Sequence, residues 1–263
     1  HRSIRSSRVI FNLNKLGPIY AYLSVNYSPD GSQIATADSS STASLWDAHT
    51  GNLLIILRGH IDVVKKIDYS PDGKRVVTAS EDKTAKVWDA VSGKEIFTLR
   101  GHSDVVNNIA FSPDGTRLVT VSNDGTAKIW DAFSGKELIT FSGHGKEVFG
   151  VAFSPDGKLV ASGGNDNIVR VWDVDSGQEL LTLPLEIVEK NTSLYDVAFS
   201  PDGTRITAVG WGSININIWN ASTGEKLFSG KIGDPGYIMD IAFSKDGGLA
   251  ATGGFDQKVR VWD

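Results

Sequence analysis

Short apolar runs rich in β-branched residues, such as Val105–Phe111, Leu118–Val121 and Thr126–Trp130, recur along the chain between turn-forming residues. Runs this short, bounded by Gly, Pro and Asp, predict strands rather than helices, and no apolar stripe of helical period is evident. Each cycle of the pattern holds four runs: one before a Pro-Asp-Gly turn, one after it, one ending in Trp-Asp, and one like Glu95–Leu99. Ser-Pro-Asp-Gly suits a type I turn, with Pro fixing φ at the second position and Gly closing the turn. Small sheets that are apolar on both faces must stack on neighbours, and radial stacking about an axis leaves only short, protected edges.

The cycle is a repeat. Trp-Asp or Trp-Asn occurs at Trp46-Asp47, Trp88-Asp89, Trp130-Asp131, Trp172-Asp173, Trp219-Asn220 and Trp262-Asp263, at spacings of 42, 42, 42, 47 and 43 residues. Ser-Pro-Asp-Gly keeps step at Ser28, Ser70, Ser112, Ser154 and Ser200, with Ser-Lys-Asp-Gly at Ser244; Gly-His keeps step at His60, His102 and His144. In these residues the chain resembles the WD-repeat β-propeller family over nearly its whole length. The resemblance implies an all-β fold: a six-bladed propeller with four antiparallel strands per blade. The whole of 1–263 then forms one domain, with repeats ending near 47, 89, 131, 173, 220 and 263. The last copy stops at Trp-Asp, and Arg8–Leu13 (RVIFNL) reads like its missing fourth strand, so the start of the chain is expected to complete the last blade. The alternative is part of a seven-bladed or longer array.

Composition narrows the function. Of 263 residues 40% are apolar, enough for a sizeable core, and with 22% charged residues wholesale disorder is not expected. A net charge of −5 without a basic cluster argues against nucleic acid and anionic membrane as partners. The chain has no cysteine, so neither disulfides nor thiolate zinc sites can form. No run approaches the roughly 18 to 20 apolar residues of a membrane span. A cytoplasmic, monomeric propeller that needs no cofactor or metal is the expectation.

His102, Ser122 and Asp124 are the cast of a hydrolytic triad, and His60, Ser80 and Asp82 repeat them one cycle earlier. The family resemblance implies a different role: a tetrad inside each blade, in which Asp holds His and His reaches through Ser to the Trp ring N–H. On that reading the tetrads are His60, Ser80, Asp82 and Trp88, and His102, Ser122, Asp124 and Trp130. The next copy keeps His144, Asp166 and Trp172, with Gly164 where Ser is expected. A buried indole N–H needs an acceptor, so this reading explains every member. Catalysis would leave Trp unexplained and need the same site in adjacent blades; no Gly-x-Ser-x-Gly elbow supports it.

Two sets of turns then lie on opposite faces. The Ser-Pro-Asp-Gly and Ser/Thr-Gly turns are nearly uniform. The Gly-His loops and the loops holding Asp82, Asp124 and Asp166 diverge, and an insertion of about four residues falls between Gln178 and Asp196. Loops on a rigid scaffold commonly carry binding. Four residues before the aromatic of the innermost strand the copies read Leu23, Lys65, Asn107, Phe149, Tyr195 and Met239. One arc of the ring is therefore polar and the other apolar, where Tyr237, Phe255 and Trp211 join Phe149, Tyr195, Met239 and Leu23. Aromatics within a polar rim are typical of protein-binding hot spots, so this arc is expected to grip a peptide or protein loop. The bland reading is that these side chains fill the channel mouth as core. The resemblance implies a noncatalytic scaffold or sensor, a domain of a larger signalling protein. The alternative is a propeller enzyme, a hydrolase or lyase, at the channel mouth, where Lys65, Lys66, Glu81, Glu147, Asp196 and Asp240 are the available titratable groups.

Overall fold

The computed structural model describes residues 21–185, 193–211, 215–231, 238–244, 246–254 and 259–262. Every element in them is a β-strand. Blade 1 comprises β1 (Tyr22–Tyr27), β2 (Gln33–Asp38), β3 (Thr42–Asp47) and β4 (Leu53–Arg58). Blade 2 comprises β5 (Val64–Tyr69), β6 (Arg75–Ser80), β7 (Ala85–Asp89) and β8 (Glu95–Leu99). Blade 3 comprises β9 (Val106–Phe111), β10 (Arg117–Ser122), β11 (Ala127–Asp131) and β12 (Glu137–Phe141). Blade 4 comprises β13 (Val148–Phe153), β14 (Leu159–Gly164), β15 (Ile168–Asp173) and β16 (Glu179–Pro184). Blade 5 comprises β17 (Ser193–Phe199), β18 (Arg205–Trp211), β19 (Asn215–Asn220) and β20 (Lys226–Lys231). Blade 6 comprises β21 (Ile238–Phe243), β22 (Ala250–Gly254) and β23 (Val259–Trp262) among the described residues. Within each sheet chain order is spatial order and all neighbours are antiparallel. The blades form a ring, a six-bladed β-propeller, as the repeat predicts. The expected completion of the last blade by Arg8–Leu13 lies outside the described residues.

Both turn types come out as their residues dictate. In blade 3 the Gly115 N–H donates to the Ser112 carbonyl at 2.8 Å, and Ser112 Oγ donates to Asp114 at 2.6 Å. Gly115 sits at φ +70°, the left-handed region where a Cβ would be strained. In the second turn Asp131 Oδ1 accepts the Ser134 N–H and hydroxyl, both at 2.7 Å. Asn220 does the same work in blade 5, accepting the Thr223 N–H at 3.0 Å and the Ser222 hydroxyl at 2.8 Å. The turn uses only an Oδ1 acceptor, so Trp-Asn substitutes for Trp-Asp.

The core lies in the seams between blades. At the first seam Ala35, Ala37, Ala43, Leu45 and Leu57 of blade 1 meet Val64, Ile67, Tyr69 and Val76 of blade 2. Small residues on one face receive large ones from the next, which lets adjacent sheets approach closely. Each innermost strand packs on the next, from β1 on β5 through to β17 on β21; no comparable contact joins β21 to β1 among the described residues. Among the described residues, those of blades 1 and 6 at that seam are more exposed than their counterparts elsewhere. Val25 is 64% exposed where its counterparts Ile67 and Ile109 are fully buried, and Val261 is 51% exposed where Val87 and Ile129 are fully buried.

Candidate functional site

The residues of the apparent triad lock the blades. In blade 3 the Trp130 indole N–H donates to Thr120 Oγ1 at 2.8 Å, Thr120 lies 2.7 Å from His102 Nε2, and His102 Nδ1 lies 2.9 Å from Asp124. Blade 2 repeats the chain from Trp88 to Thr78 (2.9 Å), His60 (2.7 Å) and Asp82 (2.7 Å). Blade 4 runs from Trp172 to Ser162 (2.8 Å), His144 (2.7 Å) and Asp166 (3.1 Å). In blades 2 and 3 a neutral imidazole satisfies every member: Trp donates to the hydroxyl, the hydroxyl to Nε2, and Nδ1–H to the carboxylate, whereas in blade 4 Arg170 also reaches Asp166 and lies 3.0 Å from His144 Nδ1. Burial drives His102 toward that neutral form, lowering its pKa despite the adjacent Asp124. Desolvation works against the Asp124 charge, yet hydrogen bonds from Thr126, the Ser103 N–H and His102 hold its pKa below the usual carboxylate range.

The expected hydroxyl is thereby corrected. Ser80 and Ser122 do not link His to Trp. Ser122 Oγ donates to the Asp104 carbonyl at 3.1 Å and accepts the Asp124 N–H at 3.1 Å; Ser80 does the same with Asp62 and Asp82. They splice the loops at the strand end and lie two residues past the true link. Gly164 holds this position in blade 4, where a Cβ would come 2.0 Å from the Glu147 carbonyl oxygen, so no side chain fits. The linking hydroxyl was legible in the sequence: it stands eight residues after the turn Ser and ten before Trp, as Thr36, Thr78, Thr120, Ser162 and Thr252. The Trp46 and Trp262 indoles donate to Thr36 and Thr252 at 2.8 and 3.0 Å without a His. Blade 5 has Ala208 at this place, so Trp219 meets no hydroxyl there.

The chemically varied site lies at the channel. Leu23, Lys65, Asn107, Phe149, Tyr195 and Met239, one residue from each innermost strand, line a single pocket of about 230 Å³ with Lys66, Asn108, Asp196 and Asp240. Each of the six is skipped in the pairing register of its strand: the ladder jumps from Val64 to Lys66, Val148 to Gly150, Leu194 to Asp196 and Ile238 to Asp240, with matching jumps in blades 1 and 3. These are β-bulges, which free a residue from the ladder and re-aim its side chain. The sequence signal is apolar spacing of three then two, as in Val64-x-x-Ile67-x-Tyr69 and Val106-x-x-Ile109-x-Phe111. Strict alternation would have buried Lys65.

The pocket opens on the face of the Gly-His loops, because the bulged residues lie near the starts of their strands. Phe149 and Tyr195 stack, with ring centroids 5.3 Å apart and planes 10° from parallel. Both are half-buried, Met239 is half-buried and Leu23 is exposed. Opposite them Lys65 lies 3.7 Å from Glu81, and Asn107 donates to Asn123 and to the Val148 carbonyl at 2.7 and 2.8 Å. Of the expected apolar arc, Leu23, Phe149, Tyr195 and Met239 line the pocket, and Lys65 and Asn107 of the polar arc line it with them. Tyr237, Phe255 and the Trp211 side chain lie outside the described residues; the Trp211 backbone pairs with Ser193 at the end of β18. Lys66, Asp196 and Asp240 line the same pocket, where the Lys66 charge acts on both carboxyls. No cluster of His, Asp and Glu among the described residues is gathered to hold a metal ion.

The profile of a family described as WD domain, G-beta repeat matches residues 18–47, 51–89, 93–131, 135–173 and 225–263. The chain is also similar to two proteins named Periodic tryptophan protein 2 homolog. The one from Schizosaccharomyces pombe is 33% identical over 67 residues, 26% of this chain and 8% of that protein. The one from Neurospora crassa is 33% identical over 66 residues, 25% of this chain and 7% of that protein. The chain thus matches less than a tenth of the length of either relative.

Proposed function

Because the chain belongs to the WD domain, G-beta repeat family, whose propellers generally bind protein partners, we propose that it is a noncatalytic interaction scaffold that grips a peptide or protein loop at the channel mouth. The observation that carries this reading is the ring of bulged residues: all six blades spend a ladder position to point a side chain at one pocket. Uniform bulges with non-uniform residues are what a reader of shape and chemistry needs, since the backbone is fixed and only the tips differ. The stacked Phe149 and Tyr195 supply a flat apolar anchor, and Lys65 with Glu81 supplies a polar margin. We place the propeller, as a monomer, in the cytoplasm, within a larger signalling protein. Met239 is the single methionine of the chain, so one labelled methyl reports the site. A bound partner should shift that methyl in NMR spectra, and Phe149→Ala with Tyr195→Ala should weaken partner capture by about 2 kcal/mol or more at an unchanged melting temperature. Full capture by the double variant would refute the anchors, and a collapsed melting temperature would make them core.

A further inference from the structure

The channel floor holds charges that the docking reading does not use. Four residues before each turn Ser, the six copies carry Ser24, Lys66, Asn108, Gly150, Asp196 and Asp240. Each stands next to a bulged residue, so this second ring lies directly beneath the mouth. Asp196 is 8% exposed, and its Oδ2 accepts the Ile241 N–H of the neighbouring blade at 3.2 Å. Ile241 directly follows Asp240, so that bond brings the Asp196 carboxyl next to the Asp240 backbone, and both acidic side chains line the same pocket, Asp196 buried and Asp240 exposed toward the channel. Two carboxyl groups so placed can bond to each other only by sharing a proton. Asp68 sits further along β5, where it accepts the Asn26 side chain at 2.6 Å and the Phe111 N–H at 3.3 Å, tying three blades together. The charged group facing the pair is Lys66 of β5, and Asp68 of the same strand acts on Lys66; β1, β9 and β13 present Leu23, Ser24, Asn107, Asn108, Phe149 and Gly150, all uncharged.

We infer that the Asp196–Asp240 pair is a proton-operated latch between blades 5 and 6 that sets the shape of the docking mouth. With the proton in place, Asp196 donates to Asp240 and the two innermost strands are held together at the channel. Without it, two carboxylates face each other beside a single lysine, and β17 and β21 are pushed apart. Tyr195 and Met239 are the adjacent residues of those strands, so the movement passes straight to the rim. Gly150 explains why the response is confined to one side. It backs on Asp196 so closely that a Cβ would lie 2.7 Å from the Asp196 Cα, so β17 is braced against blade 4 and yields only toward blade 6.

The direction of the pH effect follows. Burial raises the Asp196 pKa well above its ordinary value, while Lys66 lowers it only in part. Partial desolvation works against the Asp240 charge, although the residue is exposed toward the channel, and Lys66 with Asp196 keeps its pKa below ordinary. A carboxyl whose pKa is raised on folding stabilises the closed state below its unfolded value and ceases to do so as pH rises through the folded one. The latch is therefore shut on the acid side and opens on the alkaline side.

The inference rests on the docking reading for its purpose, but its test needs no partner. The Met239 methyl resonance and the amide protection of Ile241 are followed in the whole chain against pH. Wild type should show one methyl titration well above ordinary carboxylate range, with Ile241 protection dropping about tenfold across it, the scale of one unit of coupling. Asp196→Asn keeps the acceptor for Ile241 and donates permanently to Asp240, so its methyl should no longer titrate. Lys66→Gln removes the counter-charge and should move the wild-type midpoint upward. A flat methyl signal in wild type, or an unchanged midpoint in Asp196→Asn, overturns the latch and leaves the docking reading standing. A titrating latch with no partner effect at Phe149 and Tyr195 would do the reverse.

Discussion

At the scale of single residues, position relative to the strand decides what a hydroxyl does. Thr120 and Ser122 lie two residues apart on β10, both buried, yet only Thr120 completes the link from Trp130 to His102. Thr120→Val, nearly isosteric, strands an indole N–H and an imidazole nitrogen in the core and should cost about 2–4 kcal/mol. Ser122→Ala removes neutral bonds to loop backbone and should cost about 1 kcal/mol. Urea unfolding of the two variants separates them; equal losses would contradict the assignment. The cast of the tetrad was legible in the sequence, because His, Asp and Trp recur at fixed offsets. The linking hydroxyl was misplaced because two hydroxyls two residues apart share one face of the strand, and only their depth along it sets which meets His102 and Trp130.

At the scale of the strand and blade, one sequence position has two energetic lives. Val25 and Val197 occupy the same place, three residues before the turn Ser, but Val25 is 64% exposed and Val197 is 2% exposed within a seam. Val197→Ala should lose about 2 kcal/mol, and Val25→Ala less than about 0.5 kcal/mol. Thermal melts of the pair measure what a neighbouring blade contributes to a strand. Burial of this kind cannot be read from a repeat, since the residues are alike in every copy and only the presence of a neighbour differs. Strands, turns and blade number were legible, because Pro, Gly and Asp fix turns locally. The bulges were written in the sequence as well, in the three-then-two apolar spacing, but only pairing register shows that they aim six side chains at one point.

Over the whole molecule, the seams form a series, and each blade is supported by those beside it. Among the described residues, blades 2 to 5 pack closely on both sides, whereas blades 1 and 6 carry exposed Val25, Tyr27, Val259 and Val261 where they meet. Opening should therefore start at the terminal blades and end in the middle of the ring. Hydrogen exchange should find β9 and β10 the slowest and β1 and β22 the fastest; uniform protection would contradict a ring with one weak joint. The five closed seams are variations on one joint, with alanine or valine on one side and a branched or aromatic residue on the other. Joints of that sort are interchangeable. Losing or doubling a complete period would leave each surviving joint chemically intact and alter only the circumference, so a chain of this design can change size by whole units while keeping the grammar of its parts.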